Sequence, residues 1–510
     1  MKKIILSSLA LSALAISTVS CNTDFDNDVT DVKITSGEAN FSRYVALGNS
    51  LTSGFRDNAL YIDGQNESYP NLLAMQMAKA GGGAFTQPLM ADNNGGLLLA
   101  GNIIQGTKLY IKSFTNGAPD LANIEEKPTT DITKKIEGSI NNYGVPGAKS
   151  YHLVAPGYGS IANVATGRAN PYYVRFASSA TSTVAADAIS SNPTFYSLWI
   201  GNNDVLSYAT SGGVGTVQTS TDVTTYGAND ISAPAVVTAS IKAVLDGFKE
   251  KGVTQGVIAN IPYVTTIPYF TTVPYNPLTP AALGSNIAVL NASLYEPLKQ
   301  ALTAFGAGDR INLLSATSAN PVLIKDTNLT NLSAQLTAAL TPKLGAATAA
   351  AFGQIYGQAR QSTAKDYILL TTKAVIGTDA TGAPASINKY GISFPLENQH
   401  VLSEVEAANV KTAIDTYNAS IKSLATTYNL AFVDANATML ELNSKSGIMF
   451  DGVKYTASFV TGGTFSLDGV HLTGRGYAVV ANQFISAINN KYGSNLPRLE
   501  ANSYSGVKFP

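Results

Sequence analysis

Short apolar runs alternate along this chain with longer segments in which apolar residues recur every three or four positions. The stretch YVALGNS (44–50) predicts a strand, and YPNLLAMQMAKAGG (69–82) predicts a helix that ends in glycines. PTFYSLWIGNND (193–204) and GVIANI (256–261) predict two more buried strands, with a helix between them near 234–252. Strands that alternate with helices predict an α/β layer fold around a mainly parallel sheet.

The last hundred residues continue this alternation. Ser403 and Glu406 have the spacing of a capping box, which predicts the start of a helix. The apolar residues that follow recur at intervals of four and three and trace one helical face: Val410, Ile414, Tyr417, Ile421 and Leu424. LAFVDA (430–435) then predicts a strand, and GYAVVANQFISAINNKYG (476–493) predicts a closing helix.

Two regions exceed what a compact α/β unit needs. One covers about 58–140 and is rich in Gly and Asn, and the other covers about 278–400 and contains Ala-rich helical stretches. We expect both to be insertions in one domain that spans 41–493, followed by a C-terminal tail at 494–510. The second insertion is a candidate helical cap, and a separate helical domain is the alternative interpretation.

The N-terminus has the features of an export signal. Two lysines precede an apolar segment that is too short to span a bilayer, and small residues then lead to Cys21. This pattern resembles a bacterial lipobox, which predicts a lipoprotein signal peptide at 1–20 and lipid attachment at Cys21. An ordinary secretory peptide with a chance cysteine is the alternative. The acidic stretch that follows predicts a flexible tether at 21–40.

Composition narrows the range of compartments and partners. Cys21 is the only cysteine among 510 residues, so the chain can form no intramolecular disulfide. The net charge is −1 and no basic cluster is present, which argues against nucleic acid as a partner. With the signal peptide, this composition predicts a cell-envelope protein, anchored to the outer membrane or the cell surface through lipid.

Three residues near the two ends of the chain have the chemistry of a nucleophile and its base. The first strand ends in a glycine turn that presents Ser50. Asp468 lies three residues before His471, a spacing that lets the carboxylate bond Nδ1 and leaves Nε2 free to take a serine proton. Of the other two histidines, His400 precedes the capped helix and His152 has no acid nearby in sequence.

Two further turns provide candidate hydrogen-bond donors for an oxyanion. The Pro-Gly turn at Gly147 can aim a backbone N–H outward, and Asn203 follows a buried strand with its amide free to donate. A phosphate-binding loop at GVPGAKS is excluded, because Ala148 separates Gly147 from Lys149 and the glycine spacing is wrong.

The order of these motifs resembles the SGNH hydrolases, also called the GDSL esterase/lipase family. The four named residues of the family fall on Ser50, Gly147, Asn203 and His471, and Asp468 matches its triad acid. The resemblance implies a flavodoxin-like three-layer α/β/α sandwich with the site at the carboxyl ends of the strands. The motif GDSL is GNSL here, with Asn49 in place of Asp. No G-x-S-x-G elbow is evident, which speaks against the ordinary α/β-hydrolase fold.

The resemblance also implies a carboxylic ester hydrolase that needs no metal or organic cofactor. Its oxyanion hole would consist of Ser50, Gly147 and Asn203, and its substrate would be an O-acetylated glycan or a lipid or other acyl ester. The main alternative is a catalytically silent glycan-binding lipoprotein on the same fold, and a purely structural envelope protein is a third possibility.

One irregular segment has no place in the motif set. In IPYVTTIPYFTTVPYN (261–276) the pair Pro-Tyr occurs three times at intervals of six. A polyproline-like conformation would place the three pairs along one side, where the tyrosines could line a sugar or acyl cleft. The alternative is a rigid loop whose rings pack on the body of the protein.

Overall fold

Five parallel strands form the central sheet in a computed structural model that describes residues 33–115 and 117–510. In chain order the strands are β1 (Tyr44–Gly48), β2 (Asn142–Gly144), β3 (Phe195–Trp199), β4 (Gly256–Ala259) and β5 (Ala431–Val433). Their order across the sheet is β2-β1-β3-β4-β5, and each neighbouring pair is parallel. This is the flavodoxin-like strand order.

Helices cover both faces of the sheet. The helices that bear on the sheet and its site are α1 (Ser50–Ser53), α2 (Tyr69–Lys79), α3 (Val184–Ser190), α4 (Asn203–Thr210), α5 (Pro234–Glu250), α6 (Glu404–Thr427), α7 (Ala435–Leu442) and α8 (Gly474–Tyr492). On β3, Trp199 meets Tyr69 of α2 and Phe484 of α8, whereas Tyr196 stacks on Phe248 of α5 at 4.2 Å. Because successive strand residues point to opposite faces, α2 and α8 form one outer layer and α5 lies in the other.

The direction of the connections fixes where a ligand can bind. The chain moves from β1 to β2 through α2, then reverses and crosses to β3, β4 and β5 through helices of the opposite layer. Right-handed crossovers require this change of face when the direction reverses. The reversal leaves a crevice between the carboxyl ends of β1 and β3, the usual binding position in such sheets. The predicted α/β three-layer fold with a parallel sheet is therefore confirmed.

The sequence-predicted helices near the C-terminus form as expected. The Glu406 carboxylate accepts the Ser403 backbone N–H at 2.7 Å, so the capping box is present at the start of α6. The five apolar residues of its predicted stripe are all buried. The closing helix α8 begins two residues before the predicted start.

The two long segments that the sequence predicts to be insertions form small elements of their own, although the first, at 58–140, also contains the core helix α2. In the first, two hairpins pair Leu97–Leu99 with Asn102–Gln105 and Leu109–Thr115 with Ala118–Asn123. In the second, the helices are Pro280–Leu283, Asn286–Leu290, the π-helical turn Asn291–Tyr295, Glu296–Thr303, Ser333–Leu344 and Ala346–Tyr356. A separate hydrophobic cluster with members from Val273 to Val401 holds the second insertion together.

The remaining helices and strand pairs are short. The helices are Ile62–Asn66, Pro171–Val174 and Pro268–Thr271, and the antiparallel pairs are Leu323–Lys325 with Ala359–Gln361, Tyr367–Ile368 with Val401–Leu402, and Ile448–Phe450 with Val453–Tyr455. The C-terminal segment returns to the body of the protein, where Phe509 stacks on Phe114.

Candidate active site

Ser50 is the first residue of the one-turn helix α1, directly after β1. The Asn49 side chain accepts the Leu51 N–H at 3.1 Å, and the turn ends at Gly54, whose φ of +83° lies in the left-handed region. Gly48 has no room for a side chain, since a Cβ there would meet the Trp199 carbonyl and Thr52. Close approach of β1 to β3 therefore requires glycine before the serine turn.

The structure brings Ser50, His471 and Asp468 into one hydrogen-bonded chain. His471 Nε2 lies 2.8 Å from Ser50 Oγ, and His471 Nδ1 lies 2.9 Å from Asp468 Oδ2. An ionised carboxylate accepts only, so Nδ1 carries the proton and Nε2 is left to accept from the serine hydroxyl. The Phe55 ring packs against the imidazole, with the ring centroids 4.7 Å apart and the planes tilted by 50°.

Asp468 is largely buried, with 9% of its side-chain surface exposed, yet its charge is stabilised. Burial alone would raise the pKa of this carboxyl, but His471 and several N–H donors outweigh burial and hold the pKa of Asp468 well below its ordinary value. Oδ1 accepts the backbone N–H groups of Val470 at 2.9 Å and His471 at 2.8 Å, and Oδ2 accepts that of Asn58 at 2.9 Å. Asp468 therefore stays ionised throughout the neutral range.

The loop that bears Asp468 and His471 is fixed at both sides. Ser466 N–H donates to the His471 carbonyl at 2.8 Å, which closes the loop on itself. Tyr269 N–H donates to the Gly469 carbonyl at 2.9 Å, which ties the loop to the segment 261–276, called the Pro-Tyr segment from here on. Gly469 has a φ of +70°, and a Cβ there would lie 2.9 Å from Leu370 of the second insertion. The loop is thus held by Tyr269 and lies close to Leu370.

The sequence interpretation missed a polar network behind Asp468. Asp57 and Asn58 both have positive φ values, 52° and 62°, and this turn aims the Asn58 N–H at Asp468. Asp57 accepts the Leu467 N–H at 3.1 Å and the Tyr61 hydroxyl at 2.6 Å, and Arg56 Nε donates to Tyr61 at 2.6 Å. The signal available in the sequence was the stretch FRDNALY (55–61), polar residues placed directly after the serine turn.

Asn203 and the Gly147 turn meet beside β1. Asn203 Nδ2 donates to the Ala148 carbonyl at 2.9 Å, and the Val145 N–H donates to the Gly48 carbonyl at 3.0 Å. Gly147 has a φ of +80°, so the turn needs glycine there. The register explains the convergence, because Gly48 pairs with Gly144 on one side and with Trp199 on the other.

A second residue of the Asn turn holds the Gly147 loop in place. The fully buried Asp204 accepts the Ser150 N–H at 2.7 Å and the Ser150 hydroxyl at 2.9 Å. Burial raises the pKa of Asp204, although these donors and Lys149 oppose the effect. The sequence interpretation did not identify this carboxylate, whose only sequence signal is its position directly after Asn203.

A cleft of about 900 Å³, counting the part open to solvent, begins at Ser50, Asn203 and His471. We call it the acyl-side cleft. Gly147 is not among the residues that line it. Most of its lining is apolar and comes from the strand ends, the Pro-Tyr segment, the loop around His471 and the helices α1, α4, α7 and α8: Leu51, Trp199, Leu206, Pro262, Val264, Ile267, Val433, Ala435, Met439, Leu442, Phe465, Val470, Leu472, Val479 and Val480.

The Pro-Tyr segment is not polyproline-like. It contains a 3₁₀ turn at Val264–Thr266 and a short helix at Pro268–Thr271. The Tyr263 hydroxyl donates to Asp415 on α6 at 2.5 Å, so this ring packs on the body of the protein. Three apolar residues of the segment, and none of its tyrosines, line the acyl-side cleft.

His152 and His400 lie outside the hydrogen-bonded chain. His400 ends a 3₁₀ turn before α6, and its carbonyl accepts the Leu369 N–H at 3.1 Å. His152 Nδ1 accepts the Lys149 N–H at 3.1 Å, and its ring stacks on Tyr158. Burial, and then the charge of Lys149, lower the pKa of His152 to about 3.

Because His152 is neutral in the folded chain, we expect the fold to lose stability as the pH falls. Between about pH 6.5 and pH 3 the unfolded chain binds a proton at His152 that the folded chain excludes, so stability is full above pH 6.5 and falls as the pH decreases. At pH 5 the loss is about 2 kcal/mol. We expect the melting temperature of His152→Gln, measured by circular dichroism, to fall less between pH 7.5 and pH 5 than that of the parent protein. An equal loss in both proteins would contradict this assignment.

Cys21 and the predicted signal peptide lie outside the described residues. Within 33–115 and 117–510, no helix has both the length and the apolar character that crossing a membrane requires. The same part of the chain contains no cluster of three metal-ligating side chains.

Comparisons with known proteins found one weak structural similarity. No family model matches the chain, and no curated protein matches it. One solved structure that it resembles is a mutant of Axe2, an acetyl-xylooligosaccharide esterase from Geobacillus Stearmophilus. The two chains are 11% identical, the match covers 89% of this chain and 96% of the other, and the TM-score is 0.31. A likeness this weak carries no argument about the fold or activity of this chain.

Proposed function

We propose that this chain is a serine ester hydrolase of the SGNH type, anchored in the cell envelope through lipid on Cys21. The observation that carries the proposal is the continuous chain from Ser50 Oγ to His471 Nε2 at 2.8 Å and from His471 Nδ1 to Asp468 at 2.9 Å. These three side chains come from opposite ends of the sequence and have the geometry of a nucleophile, its base and an orienting acid.

The first half of the reaction forms an acyl-enzyme. Ser50 Oγ attacks the ester carbonyl carbon while His471 Nε2 takes the hydroxyl proton, and Asp468 stabilises the resulting imidazolium. When the tetrahedral intermediate collapses, the bond from carbon to the alcohol oxygen breaks. His471 returns its proton to the departing alcohol.

The second half releases the acid. Water gives a proton to His471 and attacks the acyl carbon, and the bond to Ser50 Oγ then breaks as the proton passes back to the serine. The products are one carboxylic acid and one alcohol, and the enzyme returns to its starting state.

The oxyanion is assigned to three donors. As the first residue of α1, Ser50 has a backbone N–H with no partner inside that helix. Asn203 uses one amide proton for the Ala148 carbonyl, which leaves the second for the oxyanion. Gly147 is assigned as the third donor through its backbone N–H, because its turn is tied to both Gly48 and Asn203.

The silent glycan-binding alternative is not favoured by any contact in the site. A binding protein has no requirement for an imidazole within hydrogen-bonding distance of the serine hydroxyl, and here the two atoms are 2.8 Å apart. The same contact argues against a purely structural role.

A fluorophosphonate probe tests the activity and the location together. We expect it to label one serine, which peptide mapping should place in the segment that contains Ser50, because within 33–115 and 117–510 this is the one hydroxyl that bonds His471 Nε2. In fractionated cells that express the full chain, the labelled protein should be found with the membranes, and Cys21→Ala should move it to the soluble fraction. Label on a different serine would refute the assignment of Ser50. A Cys21→Ala protein that stays on the membrane would refute the anchor alone.

A further inference from the structure

The acyl-side cleft extends well beyond the groups that the ester chemistry needs. Ala435, Thr438, Met439 and Leu442 line it from one face of α7, a span of eight residues. Gly476, Val479, Val480 and Gln483 line it along α8, also over a span of eight residues. At 1.5 Å per residue each span is about 10 Å long, so the cleft continues about two helical turns along both helices.

The side chains along these walls are suited to hydrocarbon. None of the lining residues is Asp, Glu, Lys or Arg. The polar ones outside the strand-end turns and His471 are Thr438, Thr464 and Gln483. Recognition of a sugar needs several directed hydrogen bonds, and this surface supplies few. Met439 adds a flexible, polarisable side chain that adapts to a chain of variable shape.

The Pro-Tyr segment (261–276) supplies part of the wall. Three of its residues, Pro262, Val264 and Ile267, line the cleft together with residues of α7 and α8. In the same segment, the Tyr269 N–H donates to the carbonyl of Gly469, between Asp468 and His471. Its position in the fold therefore connects the apolar wall with the loop that carries Asp468 and His471.

We propose that the acyl-side cleft binds the hydrocarbon chain of the acyl group, so that the substrates are fatty acyl esters of medium length and not acetylated glycans. This inference rests on the proposed function of Ser50, because it places the ester carbonyl at that residue. Each methylene that enters the cleft is expected to raise kcat/KM about fourfold until the cleft is filled.

Binding of the chain can be measured without catalysis. Trp199 is the only tryptophan of the protein, and it lines the cleft. Bromine on an alkyl chain quenches indole fluorescence on contact, so 10-bromodecanoate should quench Trp199 to saturation and decanoate should compete. Val480→Phe fills the cleft from α8 and should weaken this binding at least tenfold. The matched control is Ser486→Phe, an exposed position on the same helix, which should not change it.

Kinetics with p-nitrophenyl esters give the second readout. We expect kcat/KM to rise by at least about 100-fold from acetate to octanoate. Val480→Phe should lower the octanoate-to-acetate ratio at least tenfold, and Met439→Ala should move the preferred length to longer chains. The inference is overturned if the parent prefers acetate and Val480→Phe, folded normally, has the same octanoate-to-acetate ratio of kcat/KM as the parent.

The two proposals fail in different ways. Ester hydrolysis without saturable quenching of Trp199 overturns the assignment of the cleft and leaves the proposed activity standing. Saturable quenching with no hydrolysis of any ester overturns the proposed activity and supports the cleft as a site for alkyl chains.

Discussion

Ser50→Ala is expected to lower kcat for p-nitrophenyl butyrate by about 10⁴-fold to 10⁶-fold, the range typical for loss of a catalytic serine. The physical reason is that no other hydroxyl takes the place of the attacking oxygen at His471 Nε2, where Ser50 Oγ lies at 2.8 Å. The fold should be unaffected, because the Ser50 backbone carbonyl, and not its side chain, accepts the Phe55 N–H that closes the turn. Initial rates at saturating ester and a thermal melt measure both effects.

Ser53→Ala is the matched control for this variant. Ser53 belongs to the same short helix, and its hydroxyl donates to the Ser50 carbonyl at 2.9 Å without reaching His471. We expect its kcat to change less than about tenfold. If Ser50→Ala retains more than a hundredth of the parent rate, or if Ser53→Ala loses as much, then the nucleophile is wrongly assigned.

The sequence was sufficient to predict the parts of the site that depend on local pattern. An apolar run that stops at Gly48 predicts a strand and a turn, and the structure has both. The spacing of Asp468 and His471 predicts a carboxylate on Nδ1, and the two atoms are 2.9 Å apart. These features depend on a few consecutive residues, so a single sequence is enough to predict them.

The parallel sheet was predictable for the same reason, but the contacts that the sheet creates join segments that are far apart in the sequence. Strand-helix alternation predicts the layers, whereas the register that levels Gly48 with Gly144 and Trp199 depends on packing between distant segments. That register is what places the Gly147 turn and Asn203 beside the end of β1. The motif order suggested this convergence through a family resemblance, not through physical derivation.

The supports of the acid were not predictable from local pattern. Asn58 donates to Asp468 across 410 positions, and Tyr269 holds Gly469 across 200. Such contacts leave no periodicity or capping signal at either end. The Pro-Tyr segment shows the reverse case, since its regular spacing suggested a regular conformation and packing against α6 produced a turn and a short helix.

Asp468→Asn is expected to lower kcat by about 10⁴-fold while the geometry of the site is retained, as is typical when the triad acid loses its charge. Five hydrogen-bond donors surround the carboxylate. The backbone N–H groups of Val470 and His471 and the Ser466 hydroxyl face Oδ1, whereas the Asn58 N–H and His471 Nδ1 face Oδ2. An asparagine oxygen is therefore best placed at Oδ1, with its amide nitrogen at the Oδ2 position.

In that orientation the amide donates to His471 Nδ1 and holds the proton of the neutral imidazole on Nε2. A protonated Nε2 cannot accept from Ser50, so the base is present but in the wrong tautomer. Asp57→Asn is the matched control, because Asp57 contacts the same loop through Leu467 without touching the imidazole. We expect it to cost about tenfold or less in kcat. Equal losses in both variants would mean that Asp468 acts only by holding its loop, and a loss below tenfold in Asp468→Asn would remove it from the triad.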